Sequence, residues 1–156
     1  MTIWVDADAC PVPIKQMLFR AADRAGVDVV LVANHSIAVP RSKRVRFMQV
    51  APGFDVADNA IVEAAESGDL VISADIELAA DALAKGVAVI GPRGESFSAE
   101  SIRGRQVQRE FMQTLRESGV ATGGPPPLGP KDKQAFASAL ERWLNQHQRE
   151  QREKNA

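Results

Sequence analysis

Short apolar runs that alternate with helix-patterned segments set the strongest limit on how this chain folds. The clearest run is Val29-Val30-Leu31-Val32, which lacks polar alternation and so suits a strand buried on both faces. Ile3-Trp4-Val5 precedes it, and Phe47-Met48-Gln49-Val50, Leu70-Val71-Ile72-Ser73 and Val87-Ala88-Val89-Ile90 follow. Between them, residues 12–25 carry an apolar stripe of Val12, Ile14, Leu18, Ala21 and Ala22 that stops at Gly26. Ala57, Ala60, Ile61 and Ala64 form a second stripe running to Ser67-Gly68, and Ile76, Ala79, Ala80 and Leu83 a third ending at Gly86. Strands alternating with helices over residues 3–90 predict an α/β fold. The expected form is a three-layer α/β/α arrangement, with a mostly parallel sheet of about five strands between helices.

Beyond residue 90 the pattern changes to helix alone. Ala99 to Ser118 reads as a longer helix with Ile102, Val107, Phe111 and Leu115, weakened by Gly104. A last helix carries Phe136, Leu140, Trp143 and Leu144 on one side. Gly119 to Pro130 contains Gly123-Gly124-Pro125-Pro126-Pro127, which suits an ordered loop or strap. Residues 1–147 read as one domain and 148–156 as a charged tail that should fray. There is no internal repeat.

A net charge of −1 supplies no bulk attraction to nucleic acid, so any such contact needs a local patch. The single cysteine cannot form an internal disulfide, which fits a reducing compartment. The first residues do not resemble a signal peptide, and no run approaches the roughly 18–20 apolar residues of a membrane span. A soluble, cytoplasmic protein with no membrane partner is expected.

The acids are grouped by the strand pattern. Asp6 and Asp8 follow strand one, Asp55 and Asp58 open the helix after strand three, and Asp75 follows strand four. In a parallel sheet these places share the carboxyl edge, where ligands bind. Carboxylates crowded there repel one another unless neutralised, and Mg²⁺ or Mn²⁺ does so through oxygen ligands. Water attack on a phosphodiester is the matching chemistry.

Each acid also has a structural reading. Asp6 and Asp8 can cap a helix or make an Asx-turn, Asp55 and Asp58 suit a capping-box-like start, and Asp75 can cap the helix beginning at Ile76. Asp81, two turns into that helix, reads better as part of a solvated face. Lys15 suits either a phosphate contact or an exposed helix position. Arg41, Lys43, Arg44 and Arg46 fall within six residues and suit a nucleic-acid backbone or a solvated loop, with Arg93, Arg103 and Arg105 as extensions. Cys10, next to the acids, should have a raised thiol pKa and serve in packing. His35 and His147 lack zinc-type spacing, and the absence of tyrosine argues against a base-stacking platform.

Four ordered stretches carry a resemblance across nearly the whole chain. Ile3-Trp4-Val5-Asp6-Ala7-Asp8-Ala9-Cys10-Pro11-Val12, Asp55-Val56-Ala57-Asp58-Asn59-Ala60-Ile61-Val62, Leu70-Val71-Ile72-Ser73-Ala74-Asp75-Ile76-Glu77-Leu78-Ala79, and Gly123-Gly124-Pro125 with Phe136 resemble the YaiI/YqxD family of bacterial proteins. That family is similar in pattern to the PIN-like nucleases. The resemblance implies a PIN-like domain over residues 1–147, Mg²⁺ or Mn²⁺ held by acids, and cleavage of RNA. It puts Asp6 at the first acid, Asp58 at a middle-helix position usually held by Glu, and Asp75 in the strand-then-(Thr/Ser)-x-Asp-x-x-Leu element. Asp8 belongs to the family's own signature, and Asp81 is a poor match for a fourth acid. The expected catalytic and metal residues are thus Asp6, Asp8, Asp58 and Asp75, with Lys15, Arg41, Lys43, Arg44 and Arg93 on the substrate. Two other readings stand. An apolar strand followed by Asp-x-Asp also resembles haloacid-dehalogenase phosphatases, with Asp6 as nucleophile and Asp8 as acid, although Cys10 stands where Thr or Val is wanted. A non-catalytic RNA-binding or regulatory protein on the same fold is the other.

Overall fold

The computed structural model describes residues 1–53, 55–119 and 127–155, with side chains up to residue 150. Among these, β1 (Thr2–Asp6), β2 (Asp28–Ala33), β3 (Val45–Gln49), β4 (Leu70–Ile72) and β5 (Ala88–Ile90) form one sheet in the order β3-β2-β1-β4-β5. Every pairing is parallel, as the unalternated run in β2 requires: five of its six residues are buried. The crossovers are α1 (Val12–Ala25), α2 (Val56–Ala64) and α3 (Ile76–Ala84), with α4 (Ala99–Glu117) and α5 (Pro130–Asn155) following β5. Gly26 ends α1 in the left-handed region at φ 68°, its N–H donating to the Ala22 carbonyl at 3.0 Å.

The sheet separates two apolar layers. Ile3, Val5, Val29, Leu31 and Ile72 point to one side, where Ile14 and Leu18 of α1 and Phe136, Leu140 and Leu144 of α5 cover them. Val30, Val32, Val71 and Val89 point to the other, against Ile61 of α2, Leu78 and Ala82 of α3 and Ile102 of α4. The three-layer α/β/α reading therefore holds. α5 rests closely on the turn after β5: a Cβ on Gly94 would stand 2.5 Å from the Ala135 carbonyl carbon.

One buried acid belongs to this framework. Asp69, 8% exposed, precedes β4 at the amino edge of the sheet. Its carboxylate accepts the Thr2 N–H at 3.0 Å, the Trp4 indole N–H at 3.1 Å and the Glu66 N–H at 2.9 Å. It ties the start of β1 to the start of β4.

Several boundaries differ from those expected. β3 begins at Val45 rather than Phe47, because an edge strand leaves Arg46, Met48 and Gln49 exposed and without an apolar pattern. α2 ends at Ala64, three residues short, where Ala65 turns into extended backbone and Asp69 holds the Glu66 N–H. The charged end from Gln148 is helix to Asn155, consistent with the high helix propensity of Gln, Arg, Glu and Lys. The expected Gly/Pro strap falls mainly on residues 120–126, outside the described residues. Among the described residues, no helix is long and apolar enough to cross a membrane.

Candidate active site

Strand order reverses between β1 and β4: the chain leaves β1 toward one side of the sheet and β4 toward the other. Such a switch point opens a crevice at the carboxyl ends of the two strands. Asp6 is the last residue of β1, and Asp75 stands three residues beyond β4.

Ser73 couples the two. Its buried hydroxyl donates to Asp6 Oδ2 at 3.1 Å, and its oxygen accepts the Asp75 N–H at 3.0 Å. Asp75 also caps α3, Oδ1 accepting the Glu77 and Leu78 N–H groups at 2.9 and 3.0 Å. The structural reading of Asp75 is thus correct, and it leaves Oδ2 outside the cap.

The capping reading fails in α2. Asp55 occupies the N-cap with φ 63° and makes no side-chain capping bond. Asp58, one turn in, lies within hydrogen-bonding reach of Asp75 and close to Asp6. Burial, then the charges of Asp75, Asp6 and Asp55, push the Asp58 carboxyl from its ordinary 3.8 up to about 7. Asp6 is raised by burial and, to a lesser extent, by Asp75 and Asp8, against the lowering effect of Ser73. Three carboxylates from β1, α2 and the β4–α3 turn therefore share one edge, where the charge of Asp75 raises both Asp58 and Asp6.

Asp8 is turned away from this trio. One oxygen accepts the Asn34 N–H at 3.0 Å and the other lies 2.7 Å from His35 Nδ1, so it ties the end of β1 to the end of β2. Asp81 is exposed six residues down α3, on the way to the opposite edge. Among the described residues, no three His, Cys, Asp or Glu side chains are drawn around a single metal position. The trio's chemistry nevertheless suits a hard cation: it is all oxygen and half-buried, and one carboxyl of a pair retains a proton near neutral pH.

The cations separate into two groups. Lys15, in the first turn of α1, is half-buried and close enough to the Cys10 thiol to lower its pKa. Burial dominates there and, with a smaller push from Asp6, takes the thiol to about 12, so Cys10 packs rather than reacts. Arg109 of α4 was not foreseen. It pairs with Glu77 at 2.6 Å and lies near enough to Asp75 for their charges to interact.

The basic run belongs to the other edge. Residues 34–44 carry the chain back across the sheet, so Arg41, Lys43 and Arg44 precede the amino end of β3. Arg44 Nη1 lies 3.5 Å from Asp28 Oδ1, and Ser42 donates to Asp23 near the end of α1. These cations do not share a site with Asp6 and Asp75. Arg93 follows β5 at the carboxyl edge but pairs with Asp132 at the start of α5, 2.9 Å away.

Ser73 was legible only as part of the Ser-x-Asp element, and Arg109 had no local signal. In a parallel sheet a run leading into a strand lies opposite the residues leaving it, which separates Arg41 to Arg44 from the acids.

Comparison with known proteins agrees along the chain's length. The sequence pattern of an uncharacterized YaiI/YqxD family matches residues 4–146. The chain is 58% identical to the UPF0178 protein YaiI of Escherichia coli over 149 residues, 96% of this chain and 97% of that one. It is 55% identical to a UPF0178 protein of Hydrogenovibrio crunogenus over 150 residues, 96% of this chain and 99% of the relative. No solved structure matches it.

Proposed function

The chain belongs to the YaiI/YqxD family, and from its acidic edge we propose that it is a divalent-metal-dependent phosphodiesterase of PIN-like type acting on RNA. The observation that carries this reading is the meeting of Asp6, Asp58 and Asp75 from three separate elements at the switch-point crevice. The α3 N–H groups and the Ser73 hydroxyl relieve Asp75 and Asp6 only in part, and Asp58 is set against both carboxyls.

Asp6, Asp58 and Asp75 would hold Mg²⁺ or Mn²⁺. The cation would supply Lewis acidity to a phosphoryl oxygen and to an attacking water. Ser73 keeps Asp6 and Asp75 in register, and the α3 cap fixes Asp75 so that its second oxygen serves the crevice. Arg109 flanks the acids from α4 and suits a phosphate oxygen, and Lys15 lies on α1 near Cys10, in the turn that follows Asp6. Asp8 supports the site from outside by fixing the β2–β3 loop. That engagement also weakens the covalent alternative, in which Asp8 would act as a proton donor to a leaving group.

The test is cleavage of a 5′-labelled RNA pool with Mn²⁺ by wild type, Asp75→Asn and Arg44→Ala. The reading predicts cleavage by wild type and Arg44→Ala, and at least about a hundredfold loss in Asp75→Asn. Cleavage that survives in Asp75→Asn, or no cleavage of any RNA by wild type with either metal, would contradict it.

A further inference from the structure

α4 presents an apolar face away from its own domain. Its inner face carries Ile102, which is buried, and Arg109, which pairs with Glu77. Gly104, Val107, Phe111 and the half-buried Leu115, three or four residues apart, form the opposite face. Val107 is 66% exposed and Phe111 61%, and no described heavy atom lies within 4 Å of where a Cβ on Gly104 would stand. A helix-interior glycine with open space beside it lowers helix stability and allows another backbone to approach closely.

The helix also continues past its ion pair with α3. Ile102 lies beside Leu83 and Ala84 near the end of α3, and Arg109 reaches Glu77 at its start, so α4 runs antiparallel to α3. Residues 110–117 then extend the helix about 12 Å past that ion pair, at 1.5 Å per residue.

We propose that α4 pairs antiparallel with α4 of a second copy of this chain, through the Gly104, Val107, Phe111 and Leu115 face. Charge selects the occupant and its direction. One flank of the face carries Arg103, Glu110 and Glu117, one heptad apart. Antiparallel pairing with Phe111 near the twofold axis sets this flank against itself. Arg103 then meets Glu117 of the second copy at both ends, and only Glu110 meets its like. Parallel pairing would set the same flank against Ser101, Gln108 and Leu115, with no charge pair. Each projecting half of α4 is then covered by the inner half of its counterpart. This inference does not depend on the catalytic reading.

Sedimentation of the full chain from micromolar to millimolar concentration tests it. Wild type is expected to reach twice 16.8 kDa in a concentration-dependent manner. Phe111→Asp, at an exposed position, should leave the circular dichroism spectrum unchanged and raise the dimer dissociation constant at least about thirtyfold. Arg103→Glu and Glu117→Arg should each weaken the dimer, and the double swap should restore it. A wild type monomeric at millimolar concentration, a dimer indifferent to Phe111→Asp, or a double swap that fails to rescue would each overturn the proposal.

Discussion

Asp69 and the Asp6, Asp58 and Asp75 trio occupy opposite edges of the same sheet, and they solve the problem of a shielded carboxylate differently. At the amino edge three N–H donors converge on one carboxylate, and its burial stabilises the sheet. At the carboxyl edge three acids converge on one another, and the protein gives up stability to keep them together. A satisfied acid reads as architecture. An acid cluster left in mutual repulsion reads as a site whose missing charge comes from a ligand.

The largest effect should come from the satisfied acid. Asp69→Ala strands three donors and is expected to cost about 3 kcal/mol, lowering the melting temperature by roughly 6–12 °C in thermal unfolding. Asp69→Asn should recover part of this. A melting temperature within a degree of wild type would remove the contrast between the edges.

The trio should respond in the opposite sense. Between its ordinary 3.8 and about 7, native Asp58 keeps a proton that the unfolded chain has already lost. Stability should therefore fall as pH rises through that interval, and the penalty is fully present above about pH 7. Asp58→Asn should flatten this dependence and raise stability at pH 8 by about 1 kcal/mol, a modest figure because solvent screens a half-exposed group. Denaturant unfolding at pH 5 and pH 8 checks both, and Asp58→Asn less stable than wild type at pH 8 would break the comparison.

Ser73→Ala should cost about 1 kcal/mol by releasing Asp6 and the Asp75 N–H, with a loss of RNA cleavage of roughly tenfold. Arg44→Ala marks the small end. Its exposed pairing with Asp28 should contribute less than about 0.5 kcal/mol, and cleavage should be unchanged because it lies at the edge away from the acids.

How much of this was legible follows from where each residue gets its signal. Val29 to Val32 declare β2 because both faces are buried, and Gly26 declares the end of α1 because its backbone is left-handed. β3 and the end of α2 are blurred, since an edge strand and a turn stabilised by distant Asp69 leave little local pattern. Strand ends located Asp6 and Asp75. They could not show that Asp58 would abandon a cap to meet Asp75, nor that Asp8 would turn to Asn34 and His35, because both depend on strand order. Locally Asp69 is a turn residue beside Gly68, and only the β1–β4 pairing reveals its three donors.

Mn²⁺ titration at pH 7.5, followed by calorimetry and by the melting temperature, tests the central claim most directly. One ion or more should bind to wild type with release of protons and raise the melting temperature by roughly 5–10 °C at a hundredfold excess over the dissociation constant. Asp58→Asn with Asp75→Asn should abolish both effects, whereas Asp69→Asn should lower the starting temperature and keep the rise. A wild type that binds no Mn²⁺ at millimolar concentration, or a double variant that binds it unchanged, would contradict a cation site at the carboxyl edge.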